Sequence, residues 1–351
     1  MGWAITSPEY TPPVLRCPRS VGDFADRRSA DAMLNHGGRP SAMRRGANLG
    51  GVVALVGVLC AFVSSSLAAS IPSDVKKAVA FVFLSDDRGE PAVDRSGNPI
   101  PLGTGFLVGV PKGRARDRVY LYFVTAKHVI RQNSTGPLYS TILVRFNRLD
   151  GSAGFVRLRI SGEGDRERRT FFHSDPAVDL AVFPVSLDDT VFDFKFVPRD
   201  YLTAKDEFTQ LQIVEGTEVF FAGLFTPFAG EPRNYPVVRF GRIALVTGEP
   251  ISWEGTKMNL YLMESASSGG TSGSPVFLYR GSLQPNAYAL FKLAGVMTVQ
   301  SATVRPAVSV PDGGAIPASV SNAGIAGIVP CHRLYEILFG PELQALRTKN
   351  Q

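Results

Sequence analysis

The stretch with the clearest capacity for chemistry is Gly270-Thr271-Ser272-Gly273-Ser274-Pro275, in which glycines at positions 270 and 273 flank Ser272. A nucleophilic serine needs an exposed hydroxyl on a tight turn, beside backbone N–H groups that can bind an oxyanion. Glycines allow such a turn and leave the neighbouring amides accessible. The stretch therefore predicts a nucleophile at Ser272, although a Gly/Ser-rich hairpin loop without chemistry would have a similar sequence.

A general base and an acid that could orient it precede this serine in the chain. His128 follows an apolar strand pattern, and an imidazole pKa near neutrality suits a general base, although a histidine at a strand end can also be merely structural. Asp179 heads an apolar run, where a buried carboxylate costs several kcal/mol unless it has a partner such as an imidazole N–H. His173 and Asp175 compete for these roles but lie in a polar stretch. Together these residues indicate acyl transfer by a Ser-His-Asp triad.

The elements that would position these residues are short strands throughout. Runs rich in Val, Phe, Leu and Tyr recur between clusters of Gly, Pro, Asp and Asn. The first group is Ala78–Leu84, Thr104–Val110, Val119–Thr125, Thr141–Phe146, Gly154–Ile160 and Leu180–Val185. The second group is Glu218–Ala222, Val237–Val246, Asn259–Met263, Pro275–Leu278, Ala289–Thr298 and Ala326–Val329.

Two consecutive groups of six strands predict an all-β fold of two six-stranded antiparallel β-barrels, rather than one sandwich. We expect one barrel over residues 73–190, an interdomain linker over 191–215, and a second barrel with a closing helix over 216–347. That helix is predicted over residues 331–339, because Leu334, Ile337 and Leu338 form an apolar stripe, and Gly340-Pro341 should end it.

The first 69 residues predict export. Residues 1–42 show no helical or strand period and are expected to be disordered, or untranslated if synthesis begins at Met43. Residues 43–69 combine Arg44 and Arg45, an apolar run over 50–63 and a small-residue end at Ala68, which is the pattern of a cleaved signal peptide. An uncleaved membrane anchor, with the folded domain outside the cytoplasm, is the alternative. The expected location is periplasmic or secreted.

Charge and cysteine content exclude other classes. Residues 1–69 carry seven Arg and four acidic residues, so the rest of the chain has 30 basic and 27 acidic groups. That balance, without a basic run interleaved with aromatics, argues against a nucleic-acid partner. Cys17, Cys60 and Cys331 are the three cysteines, and only Cys331 falls in the expected folded part. An internal disulfide framework is therefore excluded there.

The order His, Asp, Ser and the local motifs resemble the chymotrypsin-like (trypsin-like) serine peptidases. Thr125-Ala126-Lys127-His128 is similar to their Thr-Ala-Ala-His, and Gly270–Pro275 to their Gly-Asp-Ser-Gly-Gly-Pro. Gly103-Thr104-Gly105-Phe106 and Asp179-Leu180-Ala181-Val182 resemble the bacterial HtrA/Deg branch. The resemblance spans about residues 76–345 and leaves no room for the PDZ domain common in that branch. Thr271 stands where digestive enzymes have Asp, so activation by a newly cut N-terminus is not expected.

The resemblance implies an exported serine endopeptidase that acts on proteins or peptides and needs no metal or cofactor. It assigns Ser272 as nucleophile, His128 as general base and Asp179 as orienting acid, with the backbone N–H groups of Gly270 and Ser272 as the oxyanion hole. The alternative is an inactive protease-like binding or scaffold protein. An esterase of the α/β-hydrolase kind is disfavoured, because its histidine comes last in the chain.

The same resemblance implies a substrate pocket whose residues include no acid. Strict Arg or Lys preference is therefore not expected, and a small or aliphatic residue before the cleaved bond is favoured. The membrane is expected as a partner only if the N-terminal apolar segment is uncleaved, and the sequence does not predict an oligomeric state. The predicted pocket residues are Ala266, Ser267, Ser268, Gly295 and Met297.

Overall fold

Strands dominate the fold because β-branched and aromatic residues recur in short runs bounded by turn residues. The structure is a computed structural model. It describes residues 15–16, 71–113, 118–133, 136–160, 169–267, 269–279, 291–305, 308–309, 315–316 and 319–349. Apart from β1 (Leu15–Arg16), the predicted leader and signal segment lie outside the described residues.

The N-terminal half begins with helix α1 (Ser73–Lys77) and continues as one curled antiparallel sheet. Its strands follow the order β6-β5-β2-β3-β4-β8-β7, with β1 paired to β4. Phe123, Phe183 and Leu107 are buried in the core of this sheet. The strands are β2 (Val79–Leu84), β3 (Pro101–Pro111), β4 (Arg118–Thr125), β5 (Thr141–Asn147), β6 (Ala153–Arg159), β7 (Phe171–Phe172) and β8 (Ala181–Val185).

The six strands predicted for this half are all present and form a curled half-barrel sheet, which together with the closed barrel of the other half agrees with the predicted double barrel. Among the described residues, β6 and β7 form the two ends of the sheet and do not pair with each other. Residues 161–168, which follow β6, lie outside the described part of the chain. Strand β6 alternates between partly buried and exposed positions from Phe155 onward, as expected where a strand faces solvent on one side.

The C-terminal half is a closed six-stranded barrel with the order β10-β11-β14-β19-β16-β15, as the sequence predicted. Phe221, Met263, Met297 and Ile328 fill its interior. The barrel strands are β10 (Glu218–Gly223), β11 (Val237–Leu245), β14 (Tyr261–Glu264), β15 (Pro275–Leu278), β16 (Leu293–Arg305) and β19 (Ser319–Pro330). Two small hairpins that the sequence analysis missed are β12 (Ile251–Trp253) with β13 (Thr256–Met258), and β17 (Val308–Ser309) with β18 (Ala315–Ile316).

The segment predicted as a linker, 191–215, contains short elements that join the two halves. Strand β9 (Val197–Pro198) pairs in parallel with β3, and a 3-10 turn over Arg199–Tyr201 leads to helix α2 (Lys205–Gln210). A shared apolar cluster joins Phe106 and Val124 of the N-terminal sheet to Phe220 and Phe277 of the barrel. The two halves are therefore held together over a continuous buried surface.

The predicted closing helix is present as α3 (Cys331–Leu338), and it ends before Gly340-Pro341 as expected. A second helix, α4 (Pro341–Lys349), follows it. Burial raises the pKa of the Cys331 thiol to about 12, so this cysteine behaves as a small apolar core residue. Among the described residues, no helix combines the length and apolarity that crossing a bilayer requires.

Candidate active site

The candidate general base, His128, lies on a short 3-10 turn over Lys127–Ile130 that follows β4 directly. Ala126 remains extended, so the chain leaves the sheet in one step, and Val129 and Ile130 anchor the turn by burial. Because the two residues that follow His128 are buried, its imidazole lies at the surface, where 39% of the His128 side chain is exposed.

Asp179 lies two residues before β8 and faces His128. Its Oδ2 accepts a hydrogen bond of 2.6 Å from His128 Nδ1, and its Oδ1 accepts one of 2.9 Å from the His128 backbone N–H. The Thr298 hydroxyl donates to the same Oδ2. Because a carboxylate only accepts, Nδ1 carries a proton, and Nε2 is left without a partner among the described residues. This is the tautomer that can accept a proton from a nucleophile.

The pKa values of the pair follow from burial and charge acting in opposite directions. Burial lowers the pKa of His128, but the charge and hydrogen bond of Asp179 outweigh it, so the pKa is raised above its ordinary 6.5. Burial raises the pKa of Asp179, but the charge and hydrogen bond of His128, with the hydroxyl of Thr298, lower it below its ordinary 3.8. Asp179 therefore stays ionised near neutral pH, while His128 titrates above its ordinary value.

The nucleophile turn, residues 269–273, places Ser272 between two glycines with left-handed backbone. Gly270 has a φ of +92° and Gly273 a φ of +87°, a region in which L side chains are strained. A Cβ on Gly273 would lie 1.9 Å from the backbone oxygen of Thr104. The positive φ angles and this close approach explain why the motif needs glycine at both positions.

Thr104, on β3 of the N-terminal sheet, holds the nucleophile turn in place through hydrogen bonds to its backbone. Its hydroxyl donates to the backbone oxygen of Gly270 at 2.7 Å and accepts from the N–H of Leu224 at 2.9 Å. Its own N–H donates to the backbone oxygen of Ser272 at 2.8 Å. Thr104 is fully buried. One residue of the first half therefore holds the peptide unit between the two predicted oxyanion donors.

The Ser272 hydroxyl donates to the backbone oxygen of Thr298 at 2.9 Å. Among the described residues it makes no hydrogen bond to His128. The backbone N–H groups of Gly270 and Ser272 likewise donate to no acceptor among the described residues. Because unpaired backbone donors are costly away from water, these two N–H groups are suited to bind an incoming oxygen.

Thr298 contacts both Asp179 and Ser272, and the sequence analysis did not identify it as a site residue. Its hydroxyl binds Asp179 and its carbonyl binds the Ser272 hydroxyl. It follows an apolar run in β16, where a β-branched Thr is unremarkable, so no sequence signal marks it. Thr104 was noted only as part of a strand motif. The competing candidates lie elsewhere, since His173 pairs with Glu336 of α3 at 2.5 Å and Asp175 accepts from Asn259 at 2.7 Å.

The predicted pocket residues occupy different environments. Ala266 is exposed and accepts a hydrogen bond from Arg239, and Ser267 is buried. Both line an open cavity of about 770 Å³ together with Phe240 and Tyr279. Ser268 lies outside the described residues.

Gly295 and Met297 lie on β16 and are buried. Met297 points into the barrel core, although its backbone oxygen accepts from the N–H of Gly273 at 2.7 Å. A Cβ on Gly295 would lie 2.4 Å from the backbone oxygen of Val329. Among the described residues, no group of three or more His, Cys, Asp or Glu side chains could hold a metal ion.

The family model of the trypsin-like peptidase domain matches residues 103–283, and the chain belongs to this family. The matched range contains Thr104, His128, Asp179 and Ser272. No curated protein matches the chain. Whether the HtrA/Deg branch is its nearest relative within the family stays a prediction.

Solved structures of low sequence identity match the chain over most of its length. The MamO protease domain from Magnetospirillum magneticum is 17% identical, with a TM-score of 0.42 over 75% of this chain and 97% of that one. The thermostable serine protease AL20 from an extremophilic microorganism is 12% identical, with a TM-score of 0.41 over 77% of this chain and 99% of that one.

Proposed function

We propose that this protein is an exported serine endopeptidase that hydrolyses peptide bonds through His128, Asp179 and Ser272. The single observation that supports this most strongly is the hydrogen-bonded series from His128 Nδ1 through Asp179 and Thr298 to the Ser272 hydroxyl. The series joins the two halves of the fold at one point. A purely structural role would not require an ionised carboxylate, an imidazole and a hydroxyl in this order.

The proposed reaction has two halves. The Ser272 oxygen attacks the peptide carbonyl carbon while His128 Nε2 takes the hydroxyl proton, and the N–H groups of Gly270 and Ser272 stabilise the oxyanion. The C–N bond then breaks, and His128 gives its proton to the leaving amine. Water attacks the resulting ester with His128 as base, which releases the acid and restores the Ser272 hydroxyl. Asp179 stays ionised and stabilises the imidazolium.

The alternative function is a protease-like scaffold without activity. The observation that favours it is the hydrogen bond from Ser272 to Thr298, because the hydroxyl is not directed to His128. Catalytic hydrogen bonds are often made only in the substrate complex, so this hydrogen bond is compatible with an active enzyme as well. Reactivity of Ser272 therefore distinguishes the two functions.

A fluorophosphonate probe on the full-length protein tests the proposal. We expect covalent labelling of the wild type at Ser272 and none in Ser272→Ala. Ser274→Ala is the matched control, since Ser274 lies two residues away and its buried hydroxyl has no partner among the described residues. It should label like the wild type. A folded wild type that is not labelled would favour the scaffold instead.

Export and substrate choice form the remaining parts of the proposal. The signal-like segment over residues 43–69 supports a periplasmic or secreted protein, and N-terminal sequencing of the mature chain tests cleavage after Ala68. None of the predicted pocket residues is acidic, and in the cavity that Ala266 and Ser267 line, Glu218 and Glu264 are balanced by Arg239 and Arg242. This balance supports a small or aliphatic residue before the cleaved bond. A peptide-library cleavage profile tests that preference, and a strict requirement for Arg or Lys would contradict it.

A further inference from the structure

The loop over residues 224–236, which connects β10 to β11, lies against the nucleophile turn. The Thr226 hydroxyl donates to the backbone oxygen of Gly269 at 3.2 Å. The Thr226 methyl group faces Gly270 so closely that a Cβ there would lie 2.9 Å from it. The Leu224 N–H binds the same Thr104 hydroxyl that holds Gly270. This loop is thus a direct neighbour of the candidate oxyanion hole.

A buried arginine of the other half holds the loop in place. Arg145 on β5 is only 6% exposed, and its guanidinium donates to the backbone oxygens of Ala229 and Gly230 at 2.9 and 3.0 Å. It also donates to the side chain of Asn234 at 2.6 Å and stacks over the ring of Phe83 at 4.8 Å. Three oxygens of one loop therefore satisfy a buried cation, which fixes the loop backbone on the N-terminal sheet.

Two aromatic side chains on this fixed loop point to solvent. Phe228 is 58% exposed and Tyr235 is 45% exposed, and their rings stack at a centroid distance of 5.8 Å. Aromatic side chains of this size are normally buried, and leaving them exposed forfeits the free energy of burying their apolar area. A rigid, exposed aromatic pair on a loop that contacts the nucleophile turn is suited to contact a bound molecule rather than the core.

We propose that Phe228 and Tyr235 form a substrate subsite that binds an apolar or aromatic side chain on the leaving-group side of the cleaved peptide bond. The inference rests on the proposed function and names part of its substrate class. The loop carries one acidic and one basic residue, Glu231 and Arg233, so it offers no net charge to attract a charged occupant.

The free edge of β16 indicates on which side of the cleaved bond the substrate meets the 224–236 loop. Strand β15 pairs with β16 only as far as Val296, while β19 occupies the other edge of β16. From Thr298 to Ser301 one edge has no strand partner among the described residues, and an extended peptide can add there. Thr298 contacts Ser272, whereas Thr226 contacts Gly269 and Gly270. A substrate that uses the β16 edge for its acyl part therefore meets the 224–236 loop after the cleaved bond.

Acyl transfer to added amines tests this subsite directly, because the accepting amine binds only on the leaving-group side. The full-length protein is supplied with an ester substrate, and Phe-amide and Ser-amide compete with water for the acyl-enzyme. We expect the wild type to favour Phe-amide by about 10-fold, in the range of apolar pocket discrimination. The double variant Phe228→Ser, Tyr235→Ser should lose this preference, measured as the ratio of the two amide products formed from the same ester.

Tyr201→Ser is the matched control, since Tyr201 is an aromatic residue 39% exposed on the 3-10 turn Arg199–Tyr201, outside the 224–236 loop. It should keep the preference. A wild type that hydrolyses the ester but treats both amides equally would overturn this subsite alone. A double variant that still prefers Phe-amide would also overturn the subsite. The same holds for a double variant that changes only the preference for the residue before the cleaved bond. A wild type that neither hydrolyses the ester nor reacts with fluorophosphonate would overturn the proposed function itself.

Discussion

His128 and Asp179, on the side of the N-terminal sheet, are held by hydrogen bonds between side chains, whereas Ser272, on the side of the barrel, is held by backbone geometry. The first pair depends on a carboxylate, an imidazole and the Thr298 hydroxyl. The nucleophile turn depends on two positive φ angles and on Thr104. We therefore expect a change of charge to impair the His128–Asp179 pair, and a change of side-chain size to impair the nucleophile turn.

The largest expected effect comes from the charge-dependent half. In Asp179→Asn the shape of the side chain is kept, but the amide can donate to Nδ1 and so favours the wrong imidazole tautomer. We expect kcat to fall by about 10⁴-fold, measured with a peptide substrate. Asp175→Asn is the control, because Asp175 binds Asn259 instead of His128, and it should retain activity. Equal losses in both variants would show that Asp179 has no special role.

The shape-dependent half should respond to one added methyl group. In Gly273→Ala the new Cβ would meet the Thr104 oxygen at 1.9 Å, which displaces the nucleophile turn. We expect kcat/KM to fall by about 100-fold, since a displacement of about 1 Å can have an effect of this size. Gly216→Ala is the control, because Gly216 has the same φ of +87° but nothing within 4 Å of its Cβ position. It should lose stability from backbone strain without losing activity, and an equal loss of activity would refute the steric explanation.

Removal of the Thr104 hydroxyl tests the link between the two halves. Thr104→Val leaves the Gly270 oxygen and the Leu224 N–H without their partner, at a cost of about 1–3 kcal/mol in the free energy of unfolding. We expect kcat to fall by about 10- to 100-fold with little change in KM, since an oxyanion donor is displaced but not deleted. Thr104→Ser should restore kcat. A loss of stability alone, with kcat unchanged, would make Thr104 purely structural.

The smallest expected effect is the pH dependence of the intact site. Because Asp179 raises the pKa of His128, the acid limb of kcat/KM should have its midpoint above pH 6.5 and fall about tenfold per pH unit below it. The stability that His128 gains from Asp179 is complete below pH 6.5 and is lost as pH rises through the raised pKa. The stability that Asp179 gains from His128 and Thr298 is lost as pH falls through the lowered pKa of Asp179. An acid limb below pH 6.5 would contradict the coupling.

Sequence patterns predicted the barrel strands and singled out His128 and Asp179, whose side chains are hydrogen-bonded at 2.6 Å, because each residue lies beside a strongly patterned strand. The catalytic roles of His128, Asp179 and Ser272 stay predictions. The same patterns could not predict Thr104 and Thr298. Both are small β-branched residues that fit any strand, and their roles arise from hydrogen bonds to residues 166 and 119 positions away. Arg145 was missed for a similar reason, since its three oxygen partners come from the other half of the fold.

Cys331 is fully buried, and burial raises the pKa of its thiol to about 12, so alkylating reagents cannot react with it while the fold is closed. Its rate of alkylation, followed by mass spectrometry of the Cys331 peptide, is therefore an internal measure of how often the C-terminal half opens. An inactive variant that still protects this thiol has lost catalysis alone. One that exposes it has lost the fold.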